Sequence, residues 1–373
     1  MRSVTSRDPR KVYFEKLVFM LALLIPAVFI NGFRPLVIFA VSLVSSMLAD
    51  HICCRVQKLP YDYTDPCVLY WAGAFSMLMP VGIHHGQLII GSVICVVIGK
   101  HIFGGNSNIV FSPPAIAAAF LIICYPGEML YYPRTGDIMP VFGEYSGAMV
   151  RSVENTIRLG SVPSQSVLDI LLGNAPGAFG TVNILIIAVC GICLIIRRST
   201  SICAVASCIA TVSVLAFFYP RIDVNGGMSI FYELSCGYML FGIFFLAAEP
   251  HLLPKRRGAR VIYGMVLGYT VMMFRYFGQV ECCFVFALLI TDALSGSFDT
   301  MIENLQYWKK TYLSSYERSK NDAQHGAIKL TDTQEIQIPE KYRYNTPPID
   351  GEVKRHRRRK HKEHKGGGSG HGK

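Results

Sequence analysis

Residues 16–30, KLVFMLALLIPAVFI, decide what solvent this chain folds in. The apolar run itself, 17–31, begins after the single charge at Lys16, and a second apolar run follows at 35–49. A secretory leader would end in a small-residue cleavage site, which this stretch lacks. Eight more apolar runs, bounded by charge, Gly or Pro, occupy 66–80, 86–103, 113–125, 179–196, 201–219, 229–248, 260–274 and 281–294. The chain is 51% hydrophobic and 16% charged, with a mean hydropathy of +0.37, whereas soluble domains carry roughly 25% charged residues. The pattern predicts an all-α integral membrane protein of about ten transmembrane helices. Runs such as 66–80 and 113–125 fall short of the ~20 residues a full crossing takes, so they are expected as helices packed inside the bundle or as half-helices.

Charge gives an orientation. With the N-terminus placed in the cytoplasm, that side receives fourteen Lys/Arg before the tail, from Arg2 to Arg260, and the short loops opposite receive Arg34, Arg221 and Arg275. The positive-inside rule then puts both termini in the cytoplasm and the long polar segment 126–178 outside. Two regions are expected: a polytopic membrane domain over 1–301, including the external loop, and a largely disordered cytoplasmic tail over 302–373. The tail holds 16 Lys/Arg against 9 Asp/Glu. Basic residues after a last membrane run favour anionic lipid on the cytoplasmic side, so the partner expected is the bilayer, with no nucleic acid.

Of the twelve cysteines, many lie inside apolar runs and read as small core residues. CGIC at 190–193 has redox spacing but no βαβ context. The pairs Cys53/Cys54 and Cys282/Cys283 near run ends support an iron–sulfur role only weakly, and no metal ligand is assigned.

The halves echo each other. KHIFGGNSNIVFSPPA from Lys100 and RYFGQVECCFVFALL from Arg275 both read cation, aromatic, Phe-Gly, apolar run, each at the fourth-to-fifth junction of its half. Five runs per half give repeats of opposite topology, a design with sites near the midplane.

GKHIFGGNSNIVFSPPAIAAAFL at 99–121, LDILLGNAPGAFG at 168–180 and RVIYGMVLGYTVMMFRYFG at 260–278 resemble the family of the D subunit of the Rnf ion-translocating electron-transport complex and, more distantly, the B subunit of the Na+-translocating NADH:quinone oxidoreductase. The similarity runs in order from about residue 15 to 300. It implies ten spans, an external flavin loop, and membership of a multi-subunit complex in a bacterial cytoplasmic (inner) membrane. Such a complex passes electrons between ferredoxin or NADH and an acceptor while moving Na+ or H+, and the chain would not be an enzyme by itself.

In that family an external Ser/Thr-Gly-Ala-Thr motif holds FMN through a phosphoester on its last residue. Here Ser146, Gly147, Ala148 and Met149 occupy the place. A thioether offers no oxygen to phosphorus, so covalent FMN is not expected. Three readings of Met149 stay open: drift in a loop whose flavin is lost, FMN or riboflavin held non-covalently, or attachment moved to Ser146, Ser152 or Thr156. A second flavin element of the family, of the form GGxGxNxFNPA, falls on Gly104, Gly105, Asn108 and Ser112. Its two asparagines align with Ile109 and Ser112, leaving Asn108 as a shifted amide and Ser112 as a hydroxyl.

Lys100 and Arg275 read as interfacial cations reaching toward water, with a flavin or ion role as the alternative. Glu249, Glu281 and Asp292 are expected to face protein or water rather than lipid, and Arg275 is spaced to pair with Glu281. Asp169 opens LDILLGN as a cap, and His84 and His85 read as a solvated turn. The function expected is that of a membrane subunit of an Rnf-type complex. The competing class is a solute or ion transporter with inverted repeats.

Overall fold

The computed structural model describes residues 8–61, 65–105, 108–141 and 147–324, with side chains up to residue 315. Ser146 and residues 325–373 lie outside the described residues. Every one of the ten apolar runs falls on a helix. In the first half these are α1 (Pro9–Asn31), α2 (Arg34–Val56), α3 (Pro66–Met77), α4 (His85–Val96), which continues as a π-helical turn at Val97–His101, and α5 (Pro113–Cys124). The polar segment holds α6 (Pro126–Met129), a two-stranded antiparallel ribbon of β1 (Tyr131–Pro133) and β2 (Met149–Arg151), α7 (Val153–Arg158) and α8 (Val167–Leu172). The second half contains α9 (Ile184–Ile196), α10 (Ile202–Phe218), α11 (Gly226–Ser235) and α12 (Met239–Phe241), the last running into a π-helical stretch at Gly242–Leu246. It ends with α13 (Arg257–Met273), followed by a π-helical turn at Phe274–Gly278, and α14 (Phe284–Gln324).

Local chemistry sets several of these boundaries. Asp8 and Asp65 accept from backbone N–H groups in the first turns of α1 and α3, and Pro follows each cap. Pro113 and Pro114 open α5. Among the described residues, four helical stretches are long and apolar enough to cross a membrane: Pro9–Asn31, Arg34–Val56, Arg257–Gly278 and Phe284–Ser315. At 23 residues α1 reaches about 35 Å, against a hydrocarbon core of about 30 Å. The shorter α3 is buried at every position except Leu69, so protein and not lipid surrounds its ends.

The run at 229–248, expected as one span, is broken. α11 and the stretch Met239–Leu246 meet at a 68° bend, and together they would make a fifth crossing. Gly237 sits in the break with φ +70, and a Cβ there would meet Glu154 Oε2 at 2.5 Å. No other residue type suits both the backbone and the space.

One core joins buried side chains of both halves, from Tyr13 and Trp71 to Tyr263 and Leu288. A smaller core of Val153, Ile157, Ile170, Ile184, Ile222, Tyr232 and Cys236 ties the polar segment to α9 and α11. The chain divides into two units, Met1–Lys310 and Thr311–Lys373. The first holds both cores and every cluster described below.

Candidate functional site

Lys16 is fully buried in α1, and its ammonium donates to the carbonyls of Phe245 (2.8 Å) and Ala248 (2.9 Å). These are carbonyls at the C-terminal end of the broken helix, which lack helical partners and carry its negative end. Tyr70 donates to the same Phe245 carbonyl at 2.6 Å. Glu249 follows directly, fully buried and within electrostatic reach of both Lys16 and Asp292. The Ser112 hydroxyl donates to Glu249 Oε1 at 3.4 Å, and the Ser112 backbone N–H donates to Asp292 Oδ2 at 3.0 Å. Asp292, on α14, therefore caps the positive end of α5. Its other oxygen accepts from Tyr263 at 2.7 Å. The Trp71 indole approaches Glu249 without hydrogen-bond geometry, and Glu249 Oε2 has no hydrogen-bond partner among the described residues. One lysine and two carboxylates thus meet where α1, α3, α5, α13, α14 and the broken helix converge.

The first half of the broken helix ends in the same way. Arg275 is 2% exposed and donates to the Glu233 carbonyl (2.6 Å), the Glu233 carboxylate (2.8 Å) and the Cys236 carbonyl (3.0 Å) at the end of α11. Glu154 lies 3.4 Å from the same guanidinium, and Arg221 grips Glu233 with two bonds of 2.7 and 3.0 Å. Arg275 does not pair with Glu281, which instead holds Arg151 at 2.9 Å and the Ser152 hydroxyl at 3.1 Å. The α11 terminus offers Arg275 two carbonyls as well as a carboxylate, which a single carboxylate in the 279–283 link cannot match.

Lys100 is also buried, 8% exposed, and pairs with Asp50 of α2 at 2.8 Å. His101 Nε2 lies 2.7 Å from the same Asp50 oxygen, and its Nδ1 lies 3.1 Å from Gln57 Oε1. Neither echo cation reaches for water, because each has a buried carboxylate on a neighbouring element. Asp50, Cys54 and His101 also have ligand-type atoms within 4.8 Å of one another. Gly104 (φ +91) and Gly105 (φ +98) form a turn with Asn108 exposed beside them, while Ile109 is buried in the core. Ser112 belongs to the Glu249–Asp292 cluster rather than to that turn.

In the polar segment Gly147 and Ala148 are exposed and Met149 is 39% exposed on β2, paired in register with Pro133, its methyl against Gly82. Ser152 is buried, caps α7 and bonds Glu281, so its hydroxyl is fully engaged. Asp169 forms a capping box with Ser166 at the start of α8, and the Ser166 hydroxyl holds its carboxyl below the usual range. The loop 175–178 closes, with Cys236, Gly237 and Cys282, over a cavity of about 30 Å³. That is room for one water, whereas a flavin-sized ligand needs roughly 300 Å³ or more.

Residues 4–307 match the model of the NQR2, RnfD, RnfE family. The chain belongs to that family. It is 25% identical over 310 residues to the D subunit of the ion-translocating oxidoreductase complex of Halorhodospira halophila, covering 75% of this chain and 86% of the relative. It is 21% identical over 295 residues to the D subunit of the proton-translocating ferredoxin:NAD+ oxidoreductase complex of Clostridium ljungdahlii, with 75% and 86% covered. The B subunit of the Na+-translocating NADH-quinone reductase of Ectopseudomonas mendocina shares 26% over 237 residues, covering 62% of this chain and 57% of the relative. With its apolar helices, this member of the NQR2, RnfD, RnfE family is a multi-pass membrane protein.

Met149, where the resemblance expects an attachment threonine, carries no hydroxyl and so does not fit a phosphoester link. Sequence alone places Glu249 and Asp292 near span ends and Ser112 in the second flavin element, but misses Lys16, which counts there as a cytoplasmic flank, and Asp50, Glu154 and Glu233. Glu233 carries a usable signal, being an ionisable residue inside an apolar run. Lys16 carries one too, since it lies seven residues into a helix that starts at Pro9.

Proposed function

We propose that this chain is the membrane subunit of an Rnf-type complex that couples ferredoxin- or NADH-linked electron transfer to movement of Na+ or H+. Family membership supports the class, and the buried Lys16–Glu249–Ser112–Asp292 cluster carries the mechanism. Glu249 has one lysine and a second carboxylate within electrostatic reach, and all three cannot be charged without leaving an excess negative charge in low dielectric, so the cluster has use for a proton or a small cation. Glu249 Oε2, without a partner among the described residues, is where that cation would bind. The helix break beside it supplies carbonyl ends of the kind that ion carriers use. The ten apolar helices form two inverted five-helix repeats, both termini face the cytoplasm of a bacterial cell, and the other subunits of the complex are the partners. Any FMN or riboflavin is held without a covalent bond.

The test is donor-driven ion uptake in membrane vesicles carrying the whole complex. Glu249→Gln and Asp292→Asn are each expected to cut uptake at least tenfold while the complex still assembles. Undiminished uptake in both variants would reject the coupling role. The transporter reading draws on the same broken helix and carboxylates, and it requires ion flux in vesicles holding this chain alone, without electron donor.

A further inference from the structure

The first three turns of α1 line a groove of about 580 Å³, completed by Pro66 at the start of α3 and Arg197 at the end of α9. Its mouth is cationic: Arg10 and Lys11 are exposed, and Arg197 adds a third positive charge. The lining holds one carboxylate, Glu15, which Arg197 meets at 3.0 Å and the Ser199 hydroxyl also reaches. The mouth is therefore net positive with that pair already formed.

The floor is apolar and continues past the groove. Phe14 (59% exposed) and Val18 (48%) lead to Leu21 (46%) and Ile25 (59%). The spacings of four, three and four put all four on one face of α1. From Phe14 to Ile25 the stripe spans about 16 Å, close to the hydrocarbon depth of one leaflet. Cations at one end of a leaflet-long apolar track match the two ends of a lipid with a negatively charged head.

We propose that this groove is a binding site for an anionic phospholipid, its phosphate at Arg10, Lys11 and Arg197 and an acyl chain along Phe14, Val18, Leu21 and Ile25. A free phosphate would leave the stripe unused, and a zwitterionic lipid would leave the net charge of the mouth uncompensated. A helix of a partner subunit would cover the stripe but would need an acidic end to satisfy the cations.

The full chain, purified in mild detergent, is titrated with phosphatidylglycerol and with phosphatidylcholine, and bound lipid is counted by native mass spectrometry. A preference of at least tenfold for phosphatidylglycerol is expected. Each cation near an anionic surface is worth roughly a fivefold change in affinity. Arg10→Gln with Lys11→Gln should therefore abolish most of the preference, and Arg10→Lys with Lys11→Arg should keep it. If the glutamine pair melts earlier in phosphatidylcholine, the charge-keeping pair carries the comparison: it must bind phosphatidylglycerol like the parent. Phe14→Ala with Val18→Ala should weaken both lipids. Equal binding of the two lipids, displacement by inorganic phosphate alone, or unchanged preference in the glutamine pair overturns the proposal. So does a disulfide or crosslink from Phe14→Cys to another subunit in the assembled complex, which would make the groove a protein interface.

Discussion

Two buried cations hold the two ends of one broken helix, Arg275 at the end of α11 and Lys16 at the end of the stretch Met239–Leu246. Truncating Arg275 would leave Glu233 with Arg221 alone and Glu154 without its cation in a low-dielectric interior, and breaking such a buried pair costs about 3–5 kcal/mol. Arg275→Gln is therefore expected to give little monodisperse protein and a clearly lower thermal midpoint. Arg275→Lys should fall between, because a single ammonium keeps the charge but cannot reach two carbonyls and a carboxylate in the fork geometry of a guanidinium. A parental midpoint for Arg275→Gln would mean that the carboxylates are neutral without it. Met149 makes a chemical prediction instead of an energetic one. The parent should show no flavin fluorescence after denaturing electrophoresis, since only a covalent adduct survives. Met149→Thr, in a host with the flavin transferase, should produce a fluorescent band, as threonine suits an exposed strand position and restores the hydroxyl. A fluorescent parental band would refute the reading of Met149.

Helices are legible in the sequence because apolar composition reports the solvent, and that signal is local: each run from 17–31 to 281–294 lies on a helix. What joins them is not legible. Lys16 bonds a carbonyl 229 residues away, and no periodicity reports such a pairing. The bend at Gly237 is hidden by the unbroken apolar content of 229–248, although the glycine itself is a cue. The contact between α10 and α13 is readable in part, since GMVLG at 264–268 is a small-xxx-small pattern. Gly264 lies against Ser207 and the Ala204 carbonyl, closer than any Cβ allows, and Gly268 would place a Cβ 2.9 Å from the Cys208 carbonyl. Gly264→Leu must move backbone as well as side chains, so a loss of about 1–3 kcal/mol, typical of overpacking, is the least expected. Gly296 in α14 has nothing within 4 Å of where a Cβ would stand, and Gly296→Ala should hold or raise the thermal midpoint, by up to about 1 kcal/mol of helix propensity. Equal behaviour of the two variants would mean that α10 and α13 do not pack at Gly264.

For the whole molecule, the tail and the orientation are separate questions. Residues 325–373 are rich in Lys, Arg and other polar types and poor in apolar ones, so they have little surface to bury against their ordering entropy. Ending the chain after Gln324 is expected to leave a folded, monodisperse membrane domain, and its collapse would show that the tail packs on something. Orientation rests on charges, and their burial sharpens the argument. Lys11, Arg55, Lys58, Arg197, Arg198, Lys255 and Arg257, assigned to the cytoplasmic side, are all exposed. The three cations assigned to the opposite short loops are engaged within the protein: Arg34 with the Pro140 and Ile83 carbonyls, Arg221 with Glu233, and Arg275 with α11. Cations held that way add little to the field an anionic leaflet feels; the same discount removes the buried Lys16, Lys100 and Arg260 from the cytoplasmic count, and what remains is a set of exposed cytoplasmic cations facing no exposed cation in the opposite short loops. Reporter fusions after residues 56, 199 and 257 are expected to be active only in the cytoplasm, and a fusion after residue 136 only outside. Cytoplasmic activity at 136 together with external activity at 199 would invert the molecule and place the Arg10–Lys11 groove on the wrong leaflet for anionic lipid. A mixed pattern, with 56 and 199 on opposite sides, would break the inverted repeat itself, because α3, α4, α5 and α9 lie between those two positions and an even number of crossings must return the chain to the side it left.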